Sequence, residues 1–352
     1  MAADDGDLFN RQVVDHYNNT FTMFKRKFGK SYATQEEHDY RFRVFKANMN
    51  RARRYQKMDP TAVHGVTQFS DLTSSEFRTQ FLGLNRLGPF PTKDHRAPIL
   101  LTNNLPTHFD WRDHGAVTPV KNQGSCGSSW SFSTAGALEG ANFLATGKLV
   151  SLSEQQLVDC DHECDRDGSG FCDSGCSGGL MFSAFEYAIK SGGLMREEDY
   201  PYTGTDGGTC KLDRSKIAAD VANFSVVPLG EDQIAANLVH NGPLAVAINP
   251  VFAQTYVKGI SCPHICSRAL DQGALLVGYG QIPFQMKEKL YWIIKNSWGE
   301  SWGENGYMRI CHGYHNICGT QSIVTRVAAV TTLSSPHHQM CWAAAEAHDC
   351  AA

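Results

Sequence analysis

Gln123-Gly124-Ser125-Cys126-Gly127-Ser128-Ser129-Trp130 is a turn of small residues that delivers one side chain to the start of a helix. From Ser129 onward Trp130, Phe132, Leu138 and Leu144 alternate with Ser131, Ser133, Glu139 and Asn142, and Gly147 supplies a stop, so a helix is expected to open near residue 129. Free backbone N–H groups and the macrodipole at such an end stabilise an anion, which is how a cysteine thiol becomes a thiolate nucleophile at neutral pH. Residue 129 is a serine.

Around this stretch, 352 residues with 42% hydrophobic and 19% charged side chains are enough for a large core and more than one domain. No apolar run is long enough to span a membrane. Met1 to Asp7 is acidic and carries no apolar signal segment, so a secretory leader is expected to have been removed or lost from this form of the chain. Residues 1–104 hold 16 Lys and Arg against 11 Asp and Glu, a net of +5; the remainder holds 16 against 25, a net of −9. A basic front segment docking on an acidic body is the expectation, and nucleic acid is excluded as a partner by the −9 body and by the lack of any reader motif in the front.

Twelve cysteines, ten of them between 126 and 318, point to a disulfide framework and an oxidising compartment. Cys160, Cys164, Cys172 and Cys176 lack the paired C-x-x-C spacing of a zinc site, so no metal and no cofactor is expected. Asn18-Asn19-Thr20 and Asn223-Phe224-Ser225 are glycosylation sequons that fit secretion.

In chain order, Leu8, Val13, Tyr17, Phe21, Phe24 and Phe28 recur at helical intervals up to Gly29. A second helix is predicted to open with Thr34 and Glu37 spaced as a capping box. Along it Glu37, Arg41, Phe45, Asn48, Ala52 and Gln56 share one face. Gly83 to Asn104, with Pro89, Pro91 and Pro98, reads as a linker. Residues 129–195 are mostly helical in pattern, with Ser153 and Gln156 spaced as a second capping box and another helix over Leu180 to Ile189. Residues 217–330 are richer in short strands such as Leu244 to Ile248 and Tyr291 to Ile294. This is an α+β pattern with a helical and a strand-rich lobe, and a cleft between lobes suits a peptide.

The opening stretch resembles the nucleophile loop of papain-like cysteine proteases, Q-G-x-C-G-S-C-W, with every fixed position kept except the catalytic cysteine. The shared helical face resembles the E-R-F-N-A-Q form of that family's propeptide signature, found in cathepsin-F-like enzymes including plant vacuolar ones. Gly65-Val66-Thr67-Gln68-Phe69-Ser70-Asp71 resembles the propeptide motif G-x-N-x-F-x-D, with Thr67 in place of Asn. The resemblance covers roughly residues 8–330. It implies a papain-like two-lobed fold, a helical lobe plus a β-barrel-like lobe, preceded by a mainly helical inhibitory propeptide that forms an edge strand and then crosses the cleft in reverse direction. The implied domains are a propeptide over 1–104, a peptidase body over 105–330 and a C-terminal tail over 331–352, expected to be disordered and holding Cys341 and Cys350.

The same resemblance implies pairings of Cys126 with Cys176, Cys160 with Cys210, and Cys266 with Cys318; Cys164–Cys172 and Cys262–Cys311 are additional expected pairs. It puts Gln123 and the backbone N–H of residue 129 at the oxyanion hole, and Asn296 where an asparagine orients the base. Trp298 stands where an indole shields that contact. The run Tyr291 to Tyr307 carries this match. The base itself is expected in Leu270 to Gly280, at position 272, where the family has histidine and this chain has Gln272. Gly178, Gly179, Leu180, Met181, Leu270, Gly273 and Ile323 fall where substrate is held, and imply a pocket for a large apolar side chain.

Glutamine has no pKa near neutrality and cannot take a proton from a nucleophile, and a serine hydroxyl needs such a base at the moment of attack. Two readings of the function are open at this point. One is a non-catalytic peptidase homologue that binds peptides or proteins, its own propeptide among them. The other is an active endopeptidase zymogen of which this sequence is an engineered inactive variant. Either way the implied setting is a monomer of the secretory pathway, in a vacuole or lysosome or outside the cell.

Overall fold

Two amphipathic helices open the chain, α1 (Ala3–Phe28) and α2 (Gln35–Met58), in a computed structural model that describes residues 3–84, 97–164, 172–227, 230–263, 270–284, 287–312 and 327–331. Tyr17, Phe21 and Phe24 of α1 pack on Phe45 and Met49 of α2 as a small aromatic core. Thr34 accepts the Glu37 N–H at 3.1 Å, but the Glu37 carboxylate reaches the Ala33 amide instead of that of Thr34, so the expected box closes one residue early. A complete reciprocal box, which the pattern reading missed, forms between Thr73 and Glu76 at the start of α3 (Ser74–Phe81).

The shared face of α2 holds the segment that follows it. Asn48 donates to the Ser70 and Leu72 carbonyls at 2.7 Å each, Arg41 to the Asp71 carbonyl and the Glu76 carboxylate, and Gln56 bridges both ends of the short strand β1 (Ala62–His64). Buried polar groups need partners, and these are the partners of the loop that carries the 65–71 motif.

The body starts with β2 (Phe109–Asp110) and then α4 (Ser129–Thr146), which stops at Gly147 in the left-handed conformation, as the sequence pattern predicts. Next come α5 (Glu154–Cys160), capped by Ser153, and α6 (Met181–Ser191), then strands β3 (Leu194–Met195), β4 (Ile217–Ala219) and β5 (Asn223–Val227). The remainder holds α7 (Glu231–Asn241), β6 (Leu244–Ile248), β7 (Tyr256–Ser261), β8 (Gln272–Phe284), β9 (Lys287–Lys295), β10 (Tyr307–Cys311) and β11 (Val327–Thr331). One sheet runs in the order β1-β7-β10-β9-β8-β6-β11-β5, with β2 added against β8. β1 pairs antiparallel with β7, so the front segment adds an edge strand to the sheet of the body. The fold is α+β and papain-like, with helices α4, α5 and α6 on one side and the sheet on the other.

Disulfides join Cys126–Cys176, Cys160–Cys210, Cys164–Cys172 and Cys262–Cys311. All four cysteines weighed for zinc are therefore used as disulfides. Cys266, Cys318, Ile323, Cys341 and Cys350 lie outside the described residues, as do 85–96 of the linker and 332–352 of the tail. Among the described residues no helix is long and apolar enough to cross a membrane.

The front does not dock chiefly through charge. Among the described residues one ion pair, Arg78–Asp271, joins it to the body. Lys30 and Arg41 pair instead with Asp71 and Glu76 of the same segment. The junction is apolar and backbone-bonded: Phe69 and Phe77 stand edge-on to Trp298 at 5.2 and 5.3 Å between centroids, and Tyr55 packs on Phe252 at 4.5 Å. A buried carboxylate, Asp59, adds bonds from the Ser261 hydroxyl and the Cys262 amide at 2.6 Å each, and the imidazole of His64 lies 3.0 Å from it.

Candidate functional site

Ser129 is the first residue of α4, preceded by Ser128, whose side chain makes no capping bond to the helix. Its buried Oγ accepts the Gly273 N–H at 3.1 Å, which ties the helix start to the start of β8. Gln272, the first residue of β8, is fully buried and donates from Nε2 to Asn296 Oδ1 at 3.0 Å. That oxygen also accepts the Ser297 N–H at 2.8 Å, which fixes which end of the asparagine amide faces Gln272. Ser129, Gln272 and Asn296 are thus brought to one place between the helical side and the sheet. Gln272 Oε1 and Asn296 Nδ2 are buried and have no hydrogen-bond partner among the described residues.

Gln123 sits on the same seam. Its Oε1 accepts the Ser297 hydroxyl at 2.5 Å, and its Nε2 donates to the Cys126 carbonyl at 2.7 Å and to the carbonyl of Phe81 at 3.1 Å. The last contact belongs to the front segment, which crosses the site at Phe81 to Leu84. Gly179 N–H donates to the Gly83 carbonyl at 3.0 Å, Leu84 N–H to the Asp271 carbonyl at 3.2 Å, and Leu84 pairs with Gly179 in the parallel sense. A Cβ on Gly83 would lie 1.8 Å from the Gly127 carbonyl oxygen, so only glycine passes here. Leu84 belongs to one apolar cluster with Trp130, Leu180, Met181 and Leu270. Gly178 precedes this wall with φ +115°, and Gly273 backs onto the Ser129 carbonyl. Trp298, expected over the Gln272–Asn296 contact, packs against Phe69, Phe77 and Trp302.

Behind these neutral groups lies a charged set that sequence reading did not single out. Lys121 Nζ reaches Glu139 at 3.0 Å and Glu154 at 2.6 Å; Lys295 donates to Thr118, whose hydroxyl donates to Glu139 at 2.5 Å. With Gly273, Asn296 and Ser297 they line a small cavity of about 20 Å³, roughly the room one water needs. Burial pushes the Glu154 carboxyl up to about 8, with Lys121 opposing. Burial acts the same way on Glu139, but Lys121, Lys295 and Thr118 outweigh it and hold that carboxyl below its ordinary value.

Other contributors also escaped the sequence. Ser297 supports Gln123, and the Tyr202 hydroxyl bonds the Gln123 carbonyl at 2.8 Å and lies 2.7 Å from Ser128 Oγ. Ser297 was inside a quoted motif, so a signal existed; Tyr202, 74 residues from Ser128, carried none.

Residues 105–328 match the family model described as papain family cysteine protease, and residues 21–77 match the cathepsin propeptide inhibitor domain. The chain is 68% identical over 338 residues to the probable cysteine protease RD19B of Arabidopsis thaliana, covering 93% of each chain. It is 63% identical to cysteine proteinase 15A of Pisum sativum, over 92% of each. Among solved structures, the digestive procathepsin L2 proteinase of Tenebrio molitor superposes with a TM-score of 0.77 at 31% identity, covering 90% of this chain and 99% of that one. The recombinant stem bromelain precursor gives 0.76 at 31%, with the same coverage. With its front segment laid across the cleft and its two-lobed body behind, the chain belongs to the papain family of cysteine proteases and carries that family's propeptide inhibitor domain.

Proposed function

We propose that this chain is a non-catalytic member of its family that holds peptides or proteins in the cleft between its lobes once the propeptide leaves it. The observation that carries this reading is the Gln272–Asn296 bond. An uncharged amide occupies the place of the base, bonded to the residue that would orient an imidazole, and the partner of Ser129 Oγ is a backbone amide. Hydrolysis needs a group that takes the nucleophile's proton and returns it to the leaving nitrogen, and neither Ser129 nor Gln272 does so. His312 does not substitute for the base, since it pairs with Glu231 at 3.1 Å and stacks on Trp292. The groups that bind without moving protons are in place: the Gln123 amide holds a peptide carbonyl, Gly179 pairs with extended chain, and the apolar cluster takes a leucine side chain.

On this reading residues 1–104 are the propeptide and the body runs from near Leu105 to residue 330. The four disulfides support an oxidising, secretory setting such as a vacuole or lysosome. The test is the double reversion Ser129→Cys with Gln272→His, assayed after acid processing on a fluorogenic peptide with a bulky apolar residue before the cleaved one. The reverted protein is expected to gain turnover by about 10⁶-fold, the size of a whole catalytic set. Turnover above blank by the chain with Ser129 and Gln272 in place overturns the reading.

A further inference from the structure

We infer that Gln272 Oε1 is the acceptor for the N–H of an intact peptide bond, which makes the cleft a reader of uncut peptide running opposite to the propeptide. The inference rests on the peptide-binding reading above and names the group that would give it bond-level selectivity. With Nε2 committed to Asn296, the Gln272 amide has its oxygen left to offer a ligand, and this buried oxygen has no partner among the described residues. A buried acceptor without a donor is unfavourable, so a site that keeps one gains when a ligand supplies the donor.

The position of that donor follows from the chemistry of the place. A base there hands a proton to the nitrogen of the bond whose carbonyl sits in the oxyanion hole, so the group at 272 stands beside that nitrogen. An imidazolium donates to the nitrogen as the bond breaks. A glutamine oxygen does the reverse: it accepts from the N–H of the bond while it is whole. Both ends of one peptide bond would then be held, the carbonyl by Gln123 and the N–H by Gln272.

The propeptide shows half of this arrangement. Its Phe81 carbonyl takes the Gln123 bond, but the N–H attached to that carbonyl, on Leu82, donates backward to the Arg78 carbonyl at 3.2 Å. Its chain also pairs with Gly179 in the parallel sense. The docked propeptide therefore uses Gln123 and leaves Gln272 Oε1 unpaired. A peptide running antiparallel to Gly179 reverses the order of carbonyl and N–H across the site and brings the N–H to the Gln272 side.

The test compares an amide with an ester in the full chain carrying Gly83→Leu, whose side chain collides with the Gly127 backbone and keeps 81–84 out of the cleft. The ligands are acetyl-Ala-Leu-Ala-Ala-Ala-amide and the depsipeptide in which lactate replaces the fourth residue, titrated by calorimetry. The amide is expected to bind about tenfold tighter than the ester, a gap of about 1.4 kcal/mol by the usual conversion. Adding Gln272→Met should shrink the gap to roughly threefold or less, because what remains is the weaker ester carbonyl. Equal affinities with Gln272 present, or a tenfold gap that survives Gln272→Met, overturn the inference while leaving peptide binding intact. Binding of neither ligand overturns the peptide-binding reading and this inference with it. If Gly83→Leu does not melt cooperatively, Leu84→Asp vacates the cleft by placing a carboxylate in the apolar cluster, and the same four titrations apply.

Discussion

The front and the back of the seam between the lobes share Gly273, Asn296 and Ser297, yet they are built from opposite materials. In front are three neutral side chains, Gln272 bonded to Asn296 and Ser129 bonded to the backbone N–H of Gly273. Behind, the half-buried Lys121 pairs with the buried carboxylates of Glu139 and Glu154, and the buried Lys295 reaches Glu139 through the Thr118 hydroxyl. Charge is present behind, where it balances other buried charge, and absent from the three side chains in front. A neutral amide in a buried site costs little as long as its hydrogen bonds are made, whereas a buried ion is tolerated only while its partners are complete. The two regions therefore respond to substitution on different scales.

Glu139→Gln is the strongest way to break the back. The amide that replaces the carboxylate leaves Lys121 with Glu154 as its one carboxylate among the described residues, and takes from Lys295 the carboxylate it reaches through the Thr118 hydroxyl. Breaking a buried pair from one side costs about 3–5 kcal/mol. Denaturant unfolding is expected to show a loss of that size, and a loss smaller than about 1 kcal/mol would mean that the cluster is not charged as described.

Acidity separates the regions without changing the chain. The Glu154 carboxyl, raised to about 8, keeps a proton in the folded state that the unfolded chain has lost above about pH 4.5. Stability therefore falls as pH rises from about 4.5 to 8. Asp161, raised to about 6 by burial, acts in the same direction over the lower part of that window. Glu139 acts oppositely: its lowered value stabilises the fold above the ordinary glutamate range, and this is lost as pH falls through its folded value. Melting temperature is expected to rise on going from pH 8 to about pH 5 and to drop below that. Glu154→Gln should flatten the slope between pH 5 and 8. A slope unchanged by that substitution would assign it to other groups. The front contributes nothing to this profile, since none of its three side chains titrates.

How much of this could be seen in the sequence depends on the distance over which each feature is specified. The helix over 129–146, its glycine stop and the strands at 244–248 and 291–294 follow from local periodicity, which a linear reading captures. The Thr34 box was visible, but its exact donor was not, because one residue of backbone curvature decides whether Glu37 reaches Ala33 or Thr34. The identities at 123, 272 and 296 were legible through motifs, though their bonds were not. The charged set at the back left no joint signal, since Lys121, Glu139, Glu154 and Lys295 come from four separate segments and no spacing links them. Docking was misjudged for a related reason. Net charge counts every lysine and arginine, and it cannot show that Lys30 and Arg41 are occupied inside their own segment.

The smallest effect sharpens the comparison most. Ser129→Ala removes an oxygen whose partner is the Gly273 N–H, and leaves that backbone donor buried and unpaired. A lost neutral hydrogen bond of this kind costs about 1 kcal/mol. No charge is uncovered, because no charge stands on Ser129, Gln272 or Asn296, so the loss should be the same at pH 5 and pH 8. Chemical denaturation at both values checks this. A pH-dependent loss, or one as large as that of Glu139→Gln, would show that the hydroxyl is coupled to an ionised group, and the division between a neutral front and a charged back would fail.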